Sequence, residues 1–337
     1  MSKHHRQLGI ASQVYMVSLL QRQDRREQME FLSTIQGLAW AVIDAIPSTD
    51  PSVNHILDWV VKEREQLAER LETTIDASSN FRWPREIDAW SVNQGPLEGS
   101  GSDSWARKGP PSTKPKDPSN PAARPNLTCA AEDHSVPALM DKTPEWMVLS
   151  PAKISCWYSH VSAIRQFVDR TDAHIDDVAV ILEDDIDMEM DTADRLSQVW
   201  TVLPAGWDIV FLGHCWSNES SYPALTRPSS HASPDNISSS SIEGATNLHP
   251  SFAPKCTHAY ALSLSGARRL LQHLRYPPFA YSRALDQAYA WLIRSGRLRS
   301  YSVVPSVVVQ RKTVSSDILP GMGSEWREGL QNGVFGS

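Results

Sequence analysis

Apolar positions along the chain alternate between two periods, one typical of buried strands and one typical of amphipathic helices. The predicted strands are residues 13–20, 40–46 and 178–182, followed by the stretches "WDIVFLG", "HAYALSL" and "SYSVVPSVVVQ". The predicted helices are residues 24–35, 52–74, a segment from Pro151 with Ser150 as N-cap, 193–202, "SGARRLLQHL" and 285–294. This alternation predicts one α/β domain over residues 13–318, with a mainly parallel sheet flanked by helices. Ligands of such sheets bind at the carboxyl ends of the strands.

Two stretches interrupt the alternation, residues 91–127 and 217–250. Both are rich in Pro, Ser and Gly and lack periodic apolar positions, so they are predicted to be long disordered insertions. Residues 319–337 are expected to form a C-terminal tail.

The net charge of the chain bears on which kinds of partner the protein can attract. The net charge is −7 and the pI about 5.9, which gives no general attraction to nucleic acid. No apolar run approaches the roughly 18 residues of a membrane helix, and the N-terminus as written lacks a signal peptide. We therefore expect no transmembrane segment, and a cytoplasmic protein unless a truncated start hides entry into a secretory lumen. The cysteines (Cys129, Cys156, Cys215 and Cys256) form no C-x-x-C motif and leave the redox compartment open.

An acidic run follows the third predicted strand. Glu183, Asp184 and Asp185 stand together with no neighbouring lysine or arginine, which is unfavourable unless a cation shares the site. Alternation in an extended chain would point Glu183 and Asp185 to one side and Asp184 to the other. Two carboxylates without cysteine favour Mn²⁺ or Mg²⁺, with a diphosphate completing the coordination. His214 and His258 are candidates for a third ligand.

Several stretches appear together with "VILEDDID" in a fixed order: "VYMVSLLQRQDRREQM", "VIDAI", "ISCWYSH", "WDIVFLG", "THAYALSLSGARRLL", "ALDQAY" and "VVPSVVVQRKTVSSDI". The ordered set resembles glycosyltransferase family 25, which includes bacterial lipooligosaccharide and procollagen galactosyltransferases. The resemblance covers roughly residues 14–318 outside both insertions. It implies a GT-A fold, a metal-dependent nucleotide-sugar donor, and inverting transfer of a galactose-type sugar from a UDP-sugar to a glycan or protein hydroxyl.

The resemblance and the local chemistry suggest roles for further residues. Asp286, near a helix start, would be the base that takes the acceptor's proton, unless it only caps that helix. Candidates for donor or substrate binding are Arg25, Arg26, His160, Asp184, Gln310, Ser316 and Asp317. Arg25 and Arg26 follow the first strand, where they could hold phosphate or base, or could simply be solvated helix charges. His160 could instead be a packed core histidine, and Asp184 a plain loop acid.

Two other functions compete with this hypothesis. The D-x-D spacing of "DIDME" is that of a haloacid-dehalogenase-like phosphotransferase, although its first Asp should follow the strand directly. A catalytically inactive family member that binds a sugar or a protein is the third hypothesis. Glu183, Asp185 and Asp286 are all present, which favours the enzyme.

Overall fold

The structure is a computed structural model that describes residues 7–58, 60, 149–226, 245–275, 279–281, 283–312, 318 and 329–336. Its strands are β1 Gln13–Leu19, β2 Ala41–Ala45, β3 Val178–Glu183, β4 Ile186–Met188, β5 Ile209–Phe211, β6 Asn247–Pro250, β7 Ala259–Ser263, β8 Ser300–Val304 and β9 Val308–Gln310. Its labelled helices are α1 Gln23–Gln36, α2 Pro151–Val168, α3 Thr192–Trp200, α4 Leu264–Arg275 and α5 Leu285–Arg294. The described part of the predicted 52–74 helix is helical at residues 51–58 and 60, and the rest of it lies outside the described residues.

Seven strands form one mixed sheet in the order β2-β1-β3-β7-β5-β8-β6. The β1–β2, β1–β3 and β5–β8 pairs are parallel, whereas β7 and β6 run antiparallel to their neighbours. Five strands therefore share one direction. The predicted α/β class and mostly parallel sheet are confirmed, and the two reversed strands make the sheet mixed.

Helices cover both faces of this sheet, as strand alternation requires. On β1, Tyr15 and Val17 belong to the core cluster that includes α2, α4 and α5 residues. The alternate residues Val14 and Met16 belong to a second cluster with α1 and α3 residues. The β3 strand divides in the same way, which is why its residues are all apolar as far as Leu182.

Local sequence signals set the start of helix α2 and the end of helix α1. The Ser150 hydroxyl accepts a hydrogen bond from the Lys153 amide, and Pro151 occupies the first helical position, as predicted. Helix α1 ends at Gly37, whose φ of 62° lies in the left-handed region that glycine adopts without strain.

The prediction of a single strand for "SYSVVPSVVVQ" is wrong. The stretch divides into β8 and β9, which belong to different sheets, because Pro305 between them has no amide hydrogen for a strand ladder. Strand β9 pairs with β4, a three-residue strand that the sequence did not predict. This small sheet leads the chain back past the acidic run.

The segment predicted to be a disordered insertion at 217–250 is structured at both described ends. Residues 247–250 are β6, the edge strand of the large sheet. Glu219, only 1% exposed, accepts hydrogen bonds from the amides of Phe252 and Ala253 and from the Ser302 hydroxyl. A buried, fully hydrogen-bonded carboxylate fixes this stretch, and a composition rule cannot detect it.

The expected tail at 319–337 also packs where it is described. The Phe335 ring stacks near Phe31 of α1, and the Arg311 guanidinium lies 3.7 Å from the centre of the same Phe335 ring. The predicted insertion at 91–127 lies outside the described residues.

Candidate functional site

A cavity of about 230 Å³ opens at the carboxyl ends of β1, β2 and β3. The register explains its place, because Val17 pairs with Glu183 and Leu19 with Ala45, so the three strands end at one edge. Its lining includes apolar groups, several hydroxyls and the whole acidic run: Val17, Ser18, Leu19, Gln21, Arg25, Ala45, Pro47, Ser48, Thr49, Ala152, Ser155, Cys156, Ser159, His160, Glu183, Asp184, Asp185, Gln310 and Ile318.

The three acids do not alternate as an extended strand would place them. Strand β3 ends at Glu183, and Asp184 and Asp185 form a turn before β4 begins. Because the period of two holds only while the chain is extended, Asp184 does not turn away, and all three acids line the cavity. The prediction for Asp184's direction is wrong for this reason.

Asp184 is bound on both carboxylate oxygens by its own protein. Its Oδ2 accepts from the Ser18 hydroxyl at 2.7 Å, and its Oδ1 accepts from the Arg25 guanidinium at 2.9 Å. Arg25 is 7% exposed and also lies 3.2 Å from Asp185. Arg25 is therefore a buried counterion of the acids rather than a charge free to clamp a phosphate.

Asp185 differs from its neighbour in one oxygen. Its Oδ2 accepts from the Gln310 amide at 3.1 Å and faces Arg25, but its Oδ1 is buried without a hydrogen-bond partner among the described residues. Burial and repulsion from Glu183 raise the pKa of Asp185 to about 7, against the opposing effect of Arg25. A buried carboxylate oxygen without a donor is costly unless a ligand supplies the missing partner.

Glu183 is held by residues from two other elements. Its Oε1 accepts from the Thr257 hydroxyl at 2.7 Å and lies 3.3 Å from His160 Nε2. The other His160 nitrogen, Nδ1, is 2.9 Å from the Tyr260 hydroxyl, so a buried polar chain runs from the cavity into the core. Burial acts to raise the pKa of Glu183, but the His160 and Thr257 hydrogen bonds outweigh it and leave that pKa below its ordinary value.

Of the other predicted binding residues, some line the cavity and some do not. Gln310 lines it and donates a hydrogen bond to Asp185. Arg26 is not among the lining residues, and it binds Asp44 and the Ser18 carbonyl instead. Ser316 and Asp317 lie outside the described residues.

Asp286 lies in the first turn of helix α5, near its start as predicted, but does not line this cavity. Its Oδ1 accepts from the Gln287 amide at 2.7 Å and its Oδ2 from the Cys256 amide at 3.4 Å. Burial, and then the charges of Glu183 and Asp286, raise the pKa of the Cys156 thiol. Asp286 and Glu183 thus lie within electrostatic reach of the same thiol, which lines the cavity.

The two candidate third ligands do not join the acids. His214 Nε2 lies 3.3 Å from the Val303 carbonyl, and His258 Nε2 lies 3.2 Å from the Val308 carbonyl. Burial lowers the pKa of His258 to about 4, although the nearby Glu183 opposes this. Within the described ranges, the only group of three or more His, Cys, Asp or Glu ligands within 4.8 Å of one another contains His258 but no carboxylate.

The remaining acids of the run face away from the cavity. Asp187 and Glu189 accept hydrogen bonds from backbone amides of the C-terminal segment, 331–335, and neither lines the cavity. The D-x-D pair of the phosphotransferase hypothesis is therefore divided, with Asp185 in the cavity and Asp187 bound to the chain.

A divalent cation fits this donor set in part. Asp185 Oδ1 is buried without a donor among the described residues, and the Asp185 and Glu183 residues both line the cavity, so two carboxylates lie at the site. Mg²⁺ and Mn²⁺ sites with substrate phosphates commonly use one or two carboxylates and complete their shell with water and phosphate oxygens. The described residues supply no third protein ligand near these two.

Sequence reasoning missed Ser18, Thr257 and Tyr260, which hold the acids and His160 in place. Ser18 carried a weak signal as a buried polar residue in an apolar strand.

The sequence matches no family model and no curated protein. In the part of the chain that the structure describes, no helix is both long and apolar enough to cross a bilayer.

Proposed function

We propose that this protein is a metal-dependent glycosyltransferase with a GT-A-like fold. It would transfer a galactose-type sugar, with inversion, from a UDP-sugar to a hydroxyl of a glycan or protein. The observation that carries the proposal is the buried Asp185 Oδ1, which has no hydrogen-bond partner among the described residues. It belongs to a residue that lines, with Glu183, a cavity at the carboxyl ends of parallel strands.

Charge balance supports a bound metal. Arg25 is the only lysine or arginine among the described lining residues, and its single guanidinium is already paired with Asp184 and Asp185. A diphosphate brought into this acidic cavity would be repelled. Asp185 and Glu183 would hold Mn²⁺ or Mg²⁺, which supplies the positive charge that stabilises a departing diphosphate.

The chain's own groups then have separate tasks. His160 and Thr257 keep Glu183 ionised and oriented through its Oε1. Gln310 and Arg25 hold the Asp185 carboxylate in place through its Oδ2. Asp286, near the start of α5, would accept the proton of the acceptor hydroxyl, although it does not itself line the cavity.

Calorimetry with UDP tests this function. Wild-type protein should bind UDP with Mn²⁺ present, and the affinity should fall strongly in EDTA. Asp185→Asn removes the anionic ligand and should lose the metal-dependent part of the affinity. Asp176→Asn is a matched control, since Asp176 is exposed and contacts only His174 among the described residues.

Equal UDP affinity in Mn²⁺ and in EDTA would contradict the proposal, as would full metal-dependent binding by Asp185→Asn. A screen of nucleotide-sugar hydrolysis with Mn²⁺ then separates the enzyme from an inactive binding protein. The inactive protein would bind UDP with the same metal dependence but release no sugar from any donor.

A further inference from the structure

A second group of side chains that can bind a metal lies in the loops after β5 and before β7. A disulfide joins Cys215, in the loop after β5, to Cys256, just before β7, with Cα atoms 5.7 Å apart. Ligand atoms of Cys215, Cys256 and His258 lie within 4.8 Å of one another. Cys215 and His258 are 2% exposed, and Cys256 is half-buried.

The backbone holds these residues together independently of the sulfur bond. The Cys215 amide donates to the Lys255 carbonyl at 3.0 Å, and the Lys255 amide donates back to the Cys215 carbonyl at 3.3 Å. The His258 carbonyl accepts from the Glu183 amide at 2.9 Å. Reduction would therefore leave two thiols facing each other beside a fixed imidazole.

One nitrogen of the His258 ring is held by a hydrogen bond, and the other has none among the described residues. Its Nε2 lies 3.2 Å from the Val308 carbonyl, which can only accept, so Nε2 carries the hydrogen and Nδ1 keeps its lone pair. That Nδ1 is buried and has no hydrogen-bond partner among the described residues. Metal-ligating histidines commonly bind a backbone carbonyl in this way with their second nitrogen, which fixes the ring. Gly213 permits the packing, because a Cβ there would lie 2.3 Å from Nε2.

We propose that the reduced protein binds one Zn²⁺ ion through the Cys215 and Cys256 thiolates and His258 Nδ1. Two thiolates and an imidazole favour zinc over Mn²⁺ or Mg²⁺. A tetrahedral site would need a fourth ligand, and we expect water to supply it on the side of Cys256, the half-buried member of the group. This site shares no ligand with Glu183 and Asp185, although the His258 backbone is hydrogen-bonded to Glu183, and it does not depend on the proposed transferase activity.

Binding requires a change in redox state. A dithiol reductant gives two electrons and two protons to the S–S bond, becomes a disulfide itself and leaves two cysteine thiols. Each thiol then releases its proton to solvent when its sulfur binds the metal. The oxidised protein offers only His258, so disulfide formation and zinc binding exclude each other.

Cobalt spectroscopy on the full chain tests this site. The protein is reduced with a phosphine, which does not compete for metal as a dithiol would, and Co²⁺ is titrated under nitrogen. We expect thiolate-to-cobalt charge-transfer bands, visible bands of tetrahedral geometry, saturation at one ion per chain, and loss of the bands when Zn²⁺ is added. The oxidised protein should show none of these bands.

Variants assign the ligands. Cys256→Ser and Cys215→Ser should each lose most of the charge-transfer intensity, whereas Cys156→Ser, the matched control, should keep it. His258→Gln should weaken binding by more than the roughly 10- to 100-fold that loss of a ligand's hydrogen-bond partner costs. Asp185→Asn should retain the bands, so failure of the transferase proposal would leave this one standing.

Far-ultraviolet circular dichroism of each reduced variant checks that it remains folded. A reduced, folded wild type without thiolate bands would overturn the proposal. Bands of unchanged intensity in the double variant of Cys215 and Cys256 would overturn it as well.

Discussion

Two acids that follow β3, Asp185 and Glu189, are both largely shielded from solvent, with side chains 13% and 3% exposed, but the protein treats them in opposite ways. Glu189 is 2% exposed, and its two oxygens accept from the Gln331 and Asn332 amides, each at 2.8 Å. Asp185 has donors on Oδ2 only, and its Oδ1 has none among the described residues. Four residues apart in sequence, one carboxylate fastens the C-terminal segment and the other faces a cavity.

The difference shows how to distinguish an acid with a structural role from an acid that can still bind a ligand. Burial alone does not separate them, since both have lost most of their water. The separating quantity is the number of carboxylate oxygens that the protein's own donors satisfy. Glu219 belongs with Glu189, because backbone amides and the Ser302 hydroxyl satisfy both of its oxygens.

The largest expected effect is on catalysis and concerns Asp286. This acid lies between the structural acids and the acids with an unsatisfied oxygen. Both of its oxygens accept backbone amides, but the Cys256 contact is long at 3.4 Å. If Asp286 is the base, Asp286→Asn should reduce sugar transfer by roughly 10²- to 10⁴-fold, since the amide cannot accept the acceptor's proton. Metal-dependent UDP affinity should stay within a factor of about three, because other residues bind the donor.

Initial rates of transfer and calorimetry on the same protein separate the two roles. A wild-type rate in Asp286→Asn would assign this acid to the structural class and remove it from the mechanism. The Asn side chain still accepts a backbone amide, so a structural role alone predicts almost no change in either measurement.

Glu189 gives the next largest effect, on stability. Glu189→Leu leaves the Gln331 and Asn332 amides without their acceptor, and hydrogen bonds to a charged group contribute about 1.5–3 kcal/mol each. We expect the free energy of unfolding to fall by roughly 3 kcal/mol or more. Glu189→Gln keeps one acceptor oxygen and should lose less. Urea unfolding followed by tryptophan fluorescence measures both changes.

Asp191, in the same run, provides the control. Its side chain is 51% exposed and pairs with Arg195, so Asp191→Ala should cost no more than the roughly 0.2–1 kcal/mol of a surface ion pair. If Glu189→Leu lost no more stability than Asp191→Ala, the contacts of Glu189 with the C-terminal segment would not stabilise the fold. That result would contradict the structural role assigned to Glu189.

The sequence predicted what depends on local pattern. The order of strands and helices, the Ser150 cap and the place of the acids at a strand end follow from periodicity and capping chemistry. The three-residue strand β4 is too short to show a period. The split at Pro305 was open to prediction, because proline cannot donate to a strand ladder.

Partners distant in sequence could not be predicted. Arg25 meets Asp184 across 159 positions and Thr257 meets Glu183 across 74, and no local signal encodes either pair. The sequence left Arg25 open between holding phosphate or base and being a solvated helix charge, and the structure shows it buried against Asp184. The same limit applies to Glu189, whose partners lie more than 140 positions away in a stretch expected to be a tail.

The last predicted effect is gradual, a slope of stability with pH in metal-free protein. The pKa of Asp185 is raised to about 7 by burial and by Glu183, with Asp184 also raising it and Arg25 and Gln310 lowering it. Between about pH 4 and pH 7 the folded protein then holds a proton on Asp185 that the unfolded chain has released. Stability from this group is present at low pH and is lost as the pH rises, by at most about 1.4 kcal/mol per pH unit. Asp185→Asn cannot titrate, so its stability relative to wild type should increase steadily over this range in EDTA. Parallel curves for the two proteins would mean that Asp185 is ionised and satisfied like Glu189, which would remove the distinction between the two acids.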